Sequence, residues 1–364
     1  MADKIRVGIV GANQDANSWG ARAHIPALSA LPDYELKAIC TAHEETAKSA
    51  AAFFGAELAF HDYNEMFAHP DIDLVAVAVR VPTHHLITMA ALAAGKNVYC
   101  EWPLGANVRE AEEMADLARE KGVRAMVGLQ GRSSPGIMYL RDLMQQRYAG
   151  DVISVHMTLI RDGVMSRPEA RTWQRDRRLG ANPLTISAGH AIDALCYTCG
   201  EFDQVSAKIM TRVDKWRVQE TGAYVDVTSP DHVLLNGVLD NGAPASVFVA
   251  NVPFQNIDWR LEVYGKEGAI VATADQPNTS ATRIMAAKGK EPLADMRIPD
   301  KYVLVPEGTP QGQSYNVAQA YARYADTLRA GDKTDPDFDL AVRRHRLIAA
   351  MEHSDETGRV IRMQ

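Results

Sequence analysis

The sequence predicts a chain of two parts: an α/β domain with a doubly wound parallel sheet, then an α+β domain built on a mostly antiparallel open sheet. Three observations carry this expectation. Short apolar runs alternate with helical patterns over the first third. Extended segments follow one another through the middle without intervening helices, except around 188–199, and two amphipathic helices close the chain. At 364 residues the chain also exceeds one ordinary core.

In order, IRVGIV (5–10), ELKAIC (35–40), LVAVAV (74–79), NVYC (97–100) and RAMVG (124–128) are apolar runs of strand length. Between them HEETAKSAAAFFG and THHLITMAALAAGK read as helices, the second closing on Gly95 and Lys96 as a helix C-terminus should. This domain is expected over 1–130. The second, over 131–364, contains ISVHMTLI, QVSAKIM, HVLLNGVL and ASVFVANV, with Asp240-Asn241-Gly242 as a turn between strands. YNVAQAYARYADTLRAG and FDLAVRRHRLIAAMEHSDETG space their apolar residues by three and four, and helices over about 315–352 are expected to pack back on the first domain.

Hydrophobic residues make up 46% and charged residues 23%, values typical of a globular protein. A net charge of -7 opposes a sequence-independent grip on phosphate backbones, so no nucleic-acid partner is expected, and VRRHR at 342–346 reads as the solvent face of a helix. No run approaches the roughly 18 apolar residues of a membrane helix, and MADKIRVGIVGA lacks the pattern of a signal peptide. A cytoplasmic protein without membrane contact is expected. Cys196 and Cys199 form a C-x-x-C with no second pair at zinc spacing, and they read as core thiols. No metal site emerges, because the adjacent His84 and His85 point in different directions on a helix.

Gly8-Ile-Val-Gly11-Ala12-Asn13 follows the first strand, where a dinucleotide fold needs backbone that turns tightly and approaches a pyrophosphate. A strict G-x-G-x-x-G is absent: Asn13 takes the place of the second glycine, and the loop continues through QDANSWG. Its position at the head of an alternating pattern nevertheless predicts a Rossmann domain binding NAD(P) through Gly8, Gly11, Ala12 and Asn13. After Cys40, where a free ribose hydroxyl usually meets Asp or Glu, stand Thr41, Ala42 and His43. Two donors and no carboxylate in that run lean slightly toward NADP; the other reading of Thr41 is a helix N-cap.

AVRVPTHHLITMAALAAGKNVYCEWPLG resembles the segment of Gfo/Idh/MocA oxidoreductases in which a Pro-Asn and a His precede a helix, and a strand leads into Glu-Lys-Pro. His190 and Asp193 match the family's His-x-x-Asp, LEVYGKEGAIV its late strand, and SDETG its final helix end. The resemblance implies hydride transfer between NAD(P) and a sugar, polyol or related alcohol, in a homodimer or homotetramer joined through the C-terminal sheet. It places Gly11, Asn13, Pro82, His85 and Glu101 at the cofactor, with Val81 and Trp102 beside them. The usual catalytic set is incomplete: Trp102 stands for the lysine, and Ile186 for an Asp four residues before the histidine. The Glu-Trp-Pro form and NPLTISAGHAIDAL look closest to a divergent branch related to Gal80-like proteins, which includes regulators, so fold alone does not establish turnover.

Histidine suits an alcohol's proton without tuning, since its ordinary pKa lies near 6.5. His190 is therefore expected to transfer the proton, with Asp193 orienting its ring or binding a hydroxyl. Trp102 would be an aromatic wall with one N–H to offer, and its bond to Pro103 is expected to be cis, as is common in the family. Trp173 and Arg175 in TWQRDRRLG, with Gln130 and Arg132, are further substrate candidates, while Asp176, Arg177 and Arg178 read as a solvated face. A catalytically silent NAD(P)-binding sensor is the main alternative, and redox-neutral elimination on a tightly held cofactor a further one.

Overall fold

The computed structural model describes residues 4–15 and 18–363. It divides into two compact units, residues 1–133 with 304–343 and residues 134–303 with 344–364. The returning segment thus begins at Leu304, ahead of the first tail helix, and ends inside the second one, not at 352.

In the first unit β1 (Ile5–Val10), β2 (Tyr34–Cys40), β3 (Leu58–Phe60), β4 (Leu74–Val77), β5 (Asn97–Glu101) and β6 (Ala125–Gly128) form one parallel sheet in the order β3-β2-β1-β4-β5-β6. Every residue of β4 and β6 is buried, as parallel strands covered on both faces require. β3 is an addition to the five expected strands: three half-buried residues are too short a run to stand out. Helix Glu44–Phe54 stops at Gly55, whose φ of 77° is open to glycine at little cost. Helix Val108–Lys121 starts where the Asn107 side chain accepts from the Glu110 N–H and the Glu110 carboxylate accepts from the Ala106 N–H. From far along the chain, helix Tyr315–Ala330 supplies Val317, Tyr321 and Tyr324 to the same core as Ile9, Leu28 and Tyr99.

Strand order reverses between β1 and its neighbours β2 and β4. By the general rule for open α/β sheets, ligands bind beyond the carboxyl ends of the strands at such a point. Gly11, Thr41, Val81 and Trp102 all follow directly or closely on those ends.

The second unit carries β7 (Val152–Arg161), β8 (Ser166–Arg167), β9 (Phe202–Met210), β10 (Lys215–Val218), β11 (Tyr224–Asp226), β12 (His232–Leu239), β13 (Pro244–Asn251), β14 (Ile257–Gly265), β15 (Gly268–Ala274), β16 (Arg283–Lys288), β17 (Ala294–Asp295) and β18 (Ile361–Arg362). Nine of them form an open sheet, β17-β16-β15-β14-β7-β13-β12-β9-β18, antiparallel throughout except between β7 and β13. β9 buries Val205, Ala207 and Ile209 and exposes Ser206 and Lys208, the alternation of a sheet covered on one face. Helices Pro135–Gln145 and Gly189–Cys199 lie in this unit too. β8, β10 and β11 make a separate small sheet.

The expectation for VRRHR needs correction. Helix Phe338–Thr357 exposes Arg343 and Arg346 but buries Arg344 and His345. Charge in sequence does not reveal burial when the neutralising carboxylates lie far away in the chain. Cys196 and Cys199 are buried and outside any disulfide.

Candidate functional site

Gly11 takes φ = 100°, which side-chain-bearing residues rarely adopt, and a Cβ there would lie 2.5 Å from the Ala78 carbonyl oxygen. Both facts demand glycine where the chain leaves β1. Ser18 closes the loop from its far side: its hydroxyl donates to the Gly11 carbonyl at 3.1 Å and accepts from the Asn13 N–H at 3.4 Å. Asn13 and its neighbours to Asp15 are exposed, leaving the side chain that replaces glycine on the open face of the turn. Ala16 and Asn17 of QDANSWG lie outside the described residues. Gly20 supplies the close packing usually met by a third glycine: a Cβ there would stand 3.0 Å from that of buried Ala12. The sequence hides it because the loop is longer than the fingerprint.

At the end of β2 the Thr41 hydroxyl is engaged locally, 2.6 Å from the Thr46 hydroxyl and 3.1 Å from the His43 carbonyl. His43 is exposed and precedes a helix whose first turn carries Glu44 and Glu45. The donors that favoured a ribose phosphate are thus reduced to His43, with two carboxylates beside it.

Val81, Pro82 and Thr83 form a short turn into helix His84–Ala93. Here the structure separates two adjacent histidines. His85 lies against Glu113 of the neighbouring helix, with 2.7 Å between Nε2 and the carboxylate. His84 is buried, with Nδ1 2.9 Å from the Pro103 carbonyl oxygen and Nε2 3.1 Å from that of Val79, and burial pulls its pKa down. It packs between the end of β4 and the turn after β5, and, neutral, it has one N–H to donate to one of the two carbonyls. Periodicity contained the signal: Ile87, Thr88, Ala91 and Leu92 are buried at helical spacing, and the same stripe passes through 84.

Glu101 ends β5, only 8% exposed, and the Trp102–Pro103 peptide after it is cis, as expected. Its Oε1 sits 3.0 Å from Nε2 of His24, whose Nδ1 is 2.8 Å from the Tyr321 hydroxyl. Burial raises the Tyr321 pKa well above its ordinary value, so that phenol keeps its proton. A carboxylate only accepts, so Nε2–H donates to Glu101, and a neutral ring then accepts from the Tyr321 hydroxyl at Nδ1. On the other side Gly128 leaves room, since a Cβ there would lie 2.6 Å from Glu101 Oε1. Trp102 itself is buried. His24 and Tyr321 were not among the sequence candidates, because their separations from Glu101 and from each other are long.

Gln130 and Arg132 occupy the turn after β6, both buried. Gln130 Oε1 has no hydrogen-bond partner among the described residues. Arg132 lies 3.4 Å from Asp335, which also takes Arg323 at 3.0 Å, while Arg323 donates to the Arg132 carbonyl. Arg132 is thus part of an ion-pair cluster with Arg323 and Asp335.

In the second unit His190 and Asp193 lie one turn apart on helix Gly189–Cys199, both buried. Asp193 receives Arg344 Nε at 2.7 Å, and the two other nitrogens of that guanidinium each donate to Glu201 at 2.6 Å. Burial opposes the charge on Arg344, but the facing carboxylates outweigh it and hold its pKa well up. The Asp193 carboxylate is thus half of a buried ion pair. Asn182 shapes the entry to the helix by accepting from the Leu184 and Thr185 N–H groups, and Ile186 lies in the turn so formed. Trp173 is half-buried and Arg175 exposed in the segment Glu169–Arg175, where the Arg175 carbonyl accepts from the Thr228 and Ser229 N–H groups. Arg178 pairs with Asp176 in solvent, but Arg177 reaches Glu352 at 2.7 Å.

Residues 5–129 match the oxidoreductase family with an NAD-binding Rossmann fold, and residues 135–274 match the C-terminal domain of Gal80p. The dehydrogenase aclE of Aspergillus oryzae is 31% identical, over 70% of this chain and 72% of that protein. Levoglucosan dehydrogenase of Pseudarthrobacter phenanthrenivorans is 28% identical, over 73% of each. Among solved structures, a super-repressor mutant of Gal80p from Saccharomyces cerevisiae superposes with a TM-score of 0.88 at 23% identity, covering 99% of this chain and 98% of that one. Regulators and dehydrogenases thus both stand among the sequence relatives and among the structures that share the fold. With the glycine turn and the six-stranded parallel sheet in place, the conclusion is that this chain belongs to the Gfo/Idh/MocA oxidoreductase family.

Proposed function

We propose that the chain is an NAD(P)-dependent oxidoreductase acting on a sugar, glycoside or other polyhydroxylated alcohol, with His190 as the proton-transfer residue. The observation that carries this reading is Gly11. At the carboxyl end of β1, beside the reversal in strand order, its backbone takes a conformation and a closeness that exclude a side chain, as a pyrophosphate cradle requires. Gly11, Ala12 and Asn13 hold the phosphates, and Val81, Pro82, Glu101 and Trp102 stand at the neighbouring strand ends. The nicotinamide, when bound, accepts or gives the hydride.

Losing hydride from an alcohol carbon requires a base for the hydroxyl proton. Position 102 holds an indole, position 186 an isoleucine, and Asp193 already faces a permanent positive charge. His190 is left on this segment to take the proton. Trp102 gives a flat apolar wall suited to a sugar face, and Gln130, Trp173 and Arg175 remain the polar and aromatic candidates for hydroxyls. The names of the levoglucosan and aclE dehydrogenases support this substrate class. Thr41 being engaged, and Glu44 and Glu45 opening the helix, support NAD against the slight lean toward NADP read from the sequence. A homodimer or homotetramer joined through the open sheet completes the reading.

A test is to measure binding of NADH and NADPH, then mix the oxidised forms with sugars, glycosides and cyclic polyols and follow nicotinamide absorbance. His190→Ala is expected to slow single-turnover hydride transfer by about 100-fold or more. An unchanged rate removes His190 from the mechanism. The second reading, a silent dinucleotide-binding regulator, is favoured by Trp102, Ile186 and the pairing of Asp193; it would show binding with neither redox change nor new product. New product without net redox change would mark elimination.

A further inference from the structure

We propose that His24 is the positioning residue for Glu101, holding its carboxylate for the dinucleotide through a relay from Tyr321. The inference rests on the dinucleotide reading above. Glu101 is the last residue of β5 and lies at the ligand-binding edge of the sheet. A glutamate has three rotatable side-chain bonds, so a carboxylate intended for one ligand contact needs external support to stay in place.

That support comes from two directions. Gly128 on β6 leaves the space that Glu101 Oε1 occupies. From the opposite chain segment, His24 donates to the same oxygen at 3.0 Å. His24 is itself fully buried and fixed twice: Tyr321 bonds its other nitrogen at 2.8 Å, and the rings of Tyr99 and Tyr321 meet it edge-on at 5.0 and 5.8 Å. Tyr321 is fixed in turn by the Tyr34 hydroxyl, which donates to its carbonyl at 2.7 Å. Orientation thus passes from a helix near residue 321, through an imidazole in one tautomer, to the carboxylate.

His24 has no path to solvent, and its two nitrogens are both committed. A purely space-filling role would not need either bond. The relay predicts that His24 acts on ligand binding only through Glu101.

The test is NADH affinity, read by fluorescence, in full-length wild type, His24→Phe, His24→Gln, Tyr321→Phe, Glu101→Gln and the double variants. His24→Phe is expected to weaken NADH binding at least about tenfold, whereas His24→Gln, which keeps a donor for Glu101 and an acceptor for Tyr321, stays within about threefold of wild type. In the Glu101→Gln background His24→Phe should add less than about twofold, because the group it positions has already changed. If His24→Phe does not fold, Tyr321→Phe carries the same comparison, with an expected loss of about threefold that vanishes beside Glu101→Gln. Wild-type affinity in His24→Phe and Tyr321→Phe, or equal losses in both backgrounds, overturns the relay alone. Failure of wild type to bind NADH or NADPH overturns the dinucleotide reading and the relay with it.

Discussion

Glu101 and Asp193 are both buried carboxylates on the segments that sequence reasoning singled out, yet their partners differ in kind. Glu101 accepts from an imidazole whose other nitrogen is bound to a phenol, a partner without the permanent charge of a guanidinium. Asp193 faces Arg344, a charge that cannot leave, and shares it with Glu201. The first arrangement keeps a carboxylate available for a ligand hydrogen bond. The second commits an oxygen of a carboxylate of expected catalytic use to a buried ion pair.

The largest effect should come from removing the arginine. Arg344→Leu leaves Asp193 and Glu201 without their counter-charge, a defect of about 3–5 kcal/mol for a buried pair. Glu201 is 31% exposed, so the value should fall toward the lower end. Urea unfolding monitored by circular dichroism measures it. Replacing Arg344, Asp193 and Glu201 together by apolar residues of similar size should recover most of that loss, because no buried charge then remains unpaired. A small effect of Arg344→Leu alone would mean that Asp193 is solvated enough to act on substrate after all.

His345, beside Arg344 in the chain, gives the comparison a pH axis. Burial pushes its pKa down to about 4 from 6.5. The folded state thus holds it neutral while the unfolded chain takes up a proton. Its contribution is complete above pH 6.5 and is lost as pH falls toward 4, by about 3 kcal/mol in all. His84 in the first unit shifts in the same direction for the same reason. Unfolding temperatures recorded across that range should fall less steeply for His345→Leu than for wild type. Parallel curves would show that His345 is hydrated in the folded protein.

Much of this architecture is legible in the amino-acid sequence. The long strands of the parallel sheet announce themselves as apolar runs, and the glycine at 11 as a turn in the right place. β3 escaped because three half-buried residues make no pattern. The site was legible only where its parts are local: Glu101, Trp102 and Pro103 stand together in sequence, and so do His190 and Asp193. What determines how they behave is not local. His24 lies 77 residues from Glu101 and 297 from Tyr321, and Arg344 lies 151 from Asp193. Period and composition carry no record of such pairings, which is why VRRHR read as a solvent face and Arg344 did not enter the reading of Asp193.

The smallest effects give the sharpest contrast, because the same isosteric edit can be made at both carboxylates. Asp193→Asn keeps an oxygen for Arg344 but removes its charge, and bonds to charged groups contribute about 1.5–3 kcal/mol, so unfolding free energy should fall by an amount in that range. Glu101→Gln also keeps an acceptor for His24 Nε2–H, but no fixed positive charge is left facing a neutral group, so stability should change by less than about 1 kcal/mol. NADH affinity should rank the other way, weakened by Glu101→Gln and little altered by Asp193→Asn. Equal stability losses at the two positions would mean that His24 carries a positive charge toward Glu101 in the folded protein, and the distinction between an oriented carboxylate and a neutralised one would fall.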